Sequence, residues 1–157
     1  PDLYDFLTGY DYLNFVADVY GVSKKERDER IDLYGEMLGI TEALALPISE
    51  YSHGMKQKVA LIAALIHKPK LILMDEPFVG LDPVAAHQLK QVMHQHCAEG
   101  GAIFFSTHDF NTLQQYADKV ILLQHSILKT GTPGEVLRSP EFQSVFHLNL
   151  GMEGGNP

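Results

Sequence analysis

The chain has 157 residues, 45% hydrophobic and 20% charged, close to an average soluble domain and long enough for one core. Its net charge of −8, with no basic run, argues against a nucleic-acid-binding surface. The one cysteine, Cys97, excludes an internal disulfide framework, and no apolar run approaches the roughly 20 residues of a membrane span.

The opening stretch, PDLYDFLTGY, has no initiator methionine and reads as the middle of a domain. In DYLNFVADVYG, Leu13, Val16, Ala17 and Tyr20 share one helical face, and Gly21 ends the helix. Ser23 is expected to cap a second helix, with Ile31, Tyr34, Met37 and Leu38 on its apolar side and its end near Gly39. A third helix starts just after Ser52 and runs to about Ile66, before Pro69 breaks the pattern. From Lys70 the period changes. LILM (71–74) is a short apolar run of the kind expected in a strand buried on both faces of a parallel sheet. Residues 84–97 read as a helix, AIFF (102–105) as a second buried strand and FNTLQQYA as a short helix. KVILL (119–123) is a third strand, SILKTG an edge strand after a turn, and 133–147 two short closing helices. This order predicts an α/β fold with a right-handed, mostly parallel sheet, residues 1–68 forming a helical appendage.

In open α/β sheets, ligands bind beyond the carboxyl ends of the parallel strands, and the polar residues here fall at those ends. The first strand delivers Asp75 and Glu76, the second Ser106, Thr107 and His108. Burying two carboxylates at the end of a core strand costs several kcal/mol, about 2–7 for a polar group, unless something binds them. Two acids and a histidine in one crevice suggest metal-assisted hydrolysis. Each part has an ordinary alternative: Asp75 as a helix cap, STHD as a satisfied turn, GLDP as plain turn chemistry. Their shared order and spacing favour the functional reading. In YSHGMKQK (51–58), Ser52 can cap the following helix and Gly54 leaves room above its first-turn amides, which makes an anion site. Lys56 and Lys58 are expected on the solvated face of that helix. His94 and His96, two apart on a helix, diverge and are expected at the surface rather than on a metal.

In combination these motifs resemble the ATP-binding subunit of an ABC transporter. YSHGM resembles the family signature, LILMDE its Walker B strand, GLDP its D-loop and STHD its switch-histidine loop, in order over about residues 45 to 125. The wording YSHGMKQK leans towards subunits of ABC-2-type exporters. The resemblance implies a P-loop NTPase-like partial parallel sheet with flanking helices plus an α-helical subdomain. Residues 1–68 would be the α-helical signature subdomain, 69–148 the C-terminal part of the RecA-like ATPase core and 149–157 a flexible tail. It implies that Asp75 helps hold Mg²⁺, Glu76 is the general base and His108 contacts the γ-phosphate of ATP. Ser52 and Gly54 would grip ATP bound to a second nucleotide-binding subunit in a head-to-tail dimer, with Asp82 acting across that interface. The dimer would drive a transmembrane permease subunit from the cytoplasmic face of the membrane.

Two departures stand out. His53 and Met55 occupy positions where the family signature has Gly and Gln, although Ser52 and Gly54 are kept. A protonatable His53 beside an anion would make affinity depend on pH. The second departure is that no Gly is followed by Lys, so the phosphate loop G-x-x-x-x-G-K-[ST] is absent from the sequence. The chain is therefore expected to be the C-terminal two-thirds of the domain and inactive by itself. The alternative is a non-catalytic interaction or regulatory module that pairs with an intact ATPase subunit.

Overall fold

The structure, a computed structural model, describes residues 5–146; the tail expected at 149–157 lies outside them. Helix α1 (Gly9–Val19) and helix α2 (Lys24–Leu38) each begin with a reciprocal cap, Thr8 with Asp11 and Ser23 with Glu26. Helix α2 stops at Gly39, which takes the left-handed conformation at φ 61° and so closes the last turn without a Cβ clash. Two short 3-10 turns lead to helix α3 (His53–Leu65), capped by Ser52. Of the faces read from helical spacing, Leu13, Ala17, Ile31, Tyr34 and Leu38 pack with Leu44, Ile62 and Leu65 in one core, with Val16 and Met37 partly buried against it. Tyr20, expected on the same face, is 58% exposed and stacks on His67, because α1 ends at Val19. Burial of each large apolar side chain there contributes about 1.5–3 kcal/mol.

Strand β1 (Leu71–Asp75), helix α4 (Pro83–Ala98) and strand β2 (Ala102–Ser106) form a parallel β-α-β unit, with Leu71 opposite Ala102 and Asp75 opposite Ser106. Ile72 and Val92 join the helical core. The chain divides into two compact units, the first ending at Ser106 and the second beginning at Thr107. The second unit holds helix α5 (Phe110–Tyr116), strand β3 (Val120–Gln124), strand β4 (Ser126–Gly131), helix α6 (Pro133–Leu137) and helix α7 (Pro140–Phe146). Its own core is Val120, Leu122, Val136 and Phe142, with Phe110 packed edge-on to Phe142.

The α/β class holds, and three further details differ from expectation. Among the described residues the strands form two two-stranded sheets, β1 with β2 in parallel and β3 with β4 antiparallel. The pairing partner of β3 is thus its own hairpin neighbour, reached through a turn at His125. Secondly, the strands are not buried on both faces. Ile72 is buried, but Leu73 is 70% exposed and Phe104 52%. An apolar run shows what a strand can bury, not what covers it, and the helical core covers one face. Thirdly, His96 is buried rather than at the surface, packed where a Cβ on Gly101 would strike its ring.

Candidate functional site

The register of the parallel pair builds the acidic end. Ser106 lies opposite Asp75, and its hydroxyl donates a hydrogen bond to Asp75 Oδ1. The Glu76 amide donates to both the carbonyl and the hydroxyl of Ser106, at 3.2 Å each. One hydroxyl therefore fixes the carboxylate of one acid and the backbone of the next. Glu76 sits at φ 46°, a left-handed conformation that costs an L-residue about 1–2 kcal/mol. The bonds from Ser106 offset part of that strain. The loop beyond is pinned by Phe78, which packs edge-on to Phe105 at 6.0 Å with the Lys90 ammonium 5.6 Å from its ring.

The acids are not sealed in the core as the sequence implied. Asp75 is exposed and Glu76 half-buried, because β1 ends at the sheet rim. Desolvation is thus small here, and the cost arises only when a ligand covers them.

Asp82 caps helix α4: its Oδ1 accepts from the Val84 and Ala85 amides at 2.8 and 2.9 Å. The Ala85 amide first, then the Val84 amide and the charge of Lys58, hold this carboxyl below the usual carboxylate range. Ser52 caps α3, its Oγ accepting from the Met55 amide at 3.3 Å. A Cβ built on Gly54 would meet nothing within 4 Å, so the space above that first turn is open. His108 belongs to the second unit, in the exposed segment just before Asp109, which caps α5 through the Asn111 amide at 3.0 Å. The structure therefore brings Asp75, Glu76 and Ser106 together. Ser52 with Gly54, and Asp82, stand at the heads of two other helices of the same unit.

Two contributors escaped the sequence reading. Ser106 was visible as a strand-end residue, and only the register shows that it bridges both acids. Lys58 is half-buried rather than solvated, and donates to Leu38 O and Gln88 Oε1. Its signal was its position four residues before Ile62 and seven before Leu65, on the buried stripe of α3.

Comparison with known proteins gives this arrangement its family. Residues 9–113 match the model described as "AAA domain, putative AbiEii toxin, Type IV TA system". The chain belongs to the AAA-domain family. Its relatives are ABC transporter ATP-binding proteins. They include sll0415 of Synechocystis sp., 33% identical, with 90% of this chain and 41% of the relative covered. Another is EcsA of Bacillus subtilis, 34% identical, with 87% of this chain and 56% of the relative covered. The bacitracin transport protein BcrA of Enterococcus faecalis is 34% identical, over 76% of this chain and 38% of the relative. A solved ATP-binding subunit of an ABC transporter superposes with a TM-score of 0.80 at 34% identity, over 88% of this chain and 58% of that one. An ATP-binding cassette in its ADP conformation, at 21% identity and TM-score 0.73, shares the fold. The chain thus spans about half the length of the curated relatives it matches. Among the described residues no helix is long and apolar enough to cross a membrane.

The oxygen donors of Asp75 and Ser106 suit Mg²⁺, a hard cation usually held by one or two carboxylates plus substrate phosphates. Among the described residues no group of three or more acidic, histidine or cysteine side chains is placed to hold a metal ion, so a cation here would need ligand oxygens as well.

Proposed function

We propose that this chain is the part of an ABC transporter ATP-binding subunit that carries the hydrolytic acids, the signature helix and the switch histidine. The observation that carries the reading is the joined Asp75–Ser106–Glu76 group at the carboxyl ends of two parallel strands. Mg²⁺, when bound with ATP, would neutralise phosphate charge. Asp75 would hold it through its water shell, with Ser106 fixing the carboxylate. Glu76 would take a proton from the attacking water, its backbone held in place by the Ser106 contacts. His108 would contact the γ-phosphate. The open first turn at Ser52 and Gly54 would receive the γ-phosphate of ATP held by a second nucleotide-binding subunit, and Asp82 would act across the same junction. A transmembrane permease on the cytoplasmic side would receive the motion.

The phosphate loop is not in this sequence. The isolated chain should therefore bind Mg-ATP poorly and turn it over negligibly. Calorimetric titration and a phosphate-release assay check both. Micromolar affinity, or turnover abolished by Glu76→Gln, would overturn this division of labour. The missing loop also favours a second reading, a partner module offering its signature helix to an intact subunit. A G-x-x-x-x-G-K-[ST] encoded just upstream of residue 1 decides for the first reading.

A further inference from the structure

Lys58 stands where three helices meet. Its Nζ donates to Leu38 O at 2.7 Å, one of the carbonyls that the last turn of α2 leaves open, and to Gln88 Oε1 on α4 at 3.1 Å. Leu38 is buried, and the amide end of Gln88 lies against Gly39, where a Cβ would come within 2.9 Å of Nε2. The ammonium thus meets the negative end of α2 while fastening α3 to α4. The placement is symmetric. Lys58 lies six residues after its helix cap, Ser52, and Gln88 lies six after its own, Asp82. At 1.5 Å per residue, the joint is ~9 Å along each axis from the two caps.

We infer that Lys58 is a positioning residue: with Gln88 it locks the helix headed by Ser52 and Gly54 to the helix headed by Asp82. The two helix heads then move as one body. On the proposed function, a phosphate gripped at Ser52 and Gly54 would be felt at Asp82 through this joint rather than through the loops. That consequence rests on the nucleotide reading; the joint itself does not.

The test is amide hydrogen exchange on this chain without nucleotide, so failure of the joint and failure of the nucleotide reading are distinguishable. Lys58→Met should speed exchange at the α4 head, residues 84–86, by about five- to tenfold, the loss of one charge-assisted bond, although the change is on α3. Gln88→Leu should do the reverse and speed exchange at the Met55 and Lys56 amides. Lys58→Arg, which keeps charged donors, should restore protection at 84–86. If Lys58→Met fails to fold, Gln88→Leu decides alone. Faster exchange confined to the mutated helix would overturn the inference.

Discussion

Ser106→Ala isolates the hydroxyl that joins the two acids. It deletes the donor to Asp75 Oδ1 and one of two acceptors of the Glu76 amide, leaving that amide on the Ser106 carbonyl. A hydrogen bond to a charged group is worth about 1.5–3 kcal/mol, but Asp75 and Ser106 are exposed and water competes for both. The expected loss is therefore about 1 kcal/mol, or about 2–4 °C in Tm for a chain of this size. Ser106→Thr keeps the hydroxyl and suits a strand, so it should stay within about 0.5 kcal/mol of the parent.

Urea unfolding of Ser106→Ala, Asp75→Asn and the double variant closes a cycle around the pair. Because the hydroxyl and carboxylate touch, the combined loss should fall short of the sum by about 0.5–1 kcal/mol, beyond the scatter of independent sites. Additive losses, or an unchanged Ser106→Ala midpoint, would show that the bond carries no energy and that the acids are held by something else.

Gly39→Ala and Gly21→Ala test the turn that Gln88 covers. Both glycines are left-handed, at φ 61° and 67°, so each alanine costs about 1–2 kcal/mol. Only Gly39 has a neighbour, Gln88, so Gly39→Ala should cost about 1 kcal/mol more in thermal melts, by displacing the acceptor of Lys58; equal costs would contradict the crowding. Acid should erode stability through the capping carboxylates. Asp82 is held low mainly by the Ala85 amide, Glu26 by the Ser23 hydroxyl and Glu135 by the Thr132 amide. A lowered folded pKa gives stability that is whole above the unfolded value, near pH 4, and fades as pH falls through the folded one. Melts from pH 6 down to pH 3 should show that decline, shallower in Glu26→Gln; a flat profile would exclude it. Finally, exposed Leu71, Leu73 and Phe104 on paired strands should drive self-association. Sedimentation should show it fall in Leu73→Lys, and a parent that stays monomeric as concentration rises would remove the premise.

Local chemistry made the helices legible. A cap residue and a terminal glycine act within one turn, so Ser23 and Gly39 could be placed without knowing their neighbours. Asp82 followed by Pro83 caps α4 by the same local chemistry, although GLDP reads equally well as a plain turn. What could not be read depends on distant chain. Whether Leu73 and Phe104 are covered depends on what lies against the sheet, and the helical core reaches only the Ile72 side. The bridge made by Ser106 needs a register between strands separated by a whole helix. The left-handed turn at Glu76 has no glycine or asparagine to announce it.

That turn gives the acidic end its physical sense. A glutamate in left-handed backbone is a poor choice for stability, since glycine would take the conformation without steric penalty. Ser106 holds Glu76 by its amide, a group every residue but proline possesses. The carboxylate of Asp82, by contrast, is itself the cap of its helix. This separates the acids by mutation. Glu76→Gln keeps the side chain's length and polarity and leaves the amide bonds to Ser106 in place, so it should leave stability within about 0.5 kcal/mol. Asp82→Ala should unfold the head of α4 first, visible as faster amide exchange at Val84 and Ala85. If Glu76→Gln instead destabilised the chain as Ser106→Ala does, the carboxylate would be structural, and the assignment of Glu76 as the proton acceptor would lose its footing.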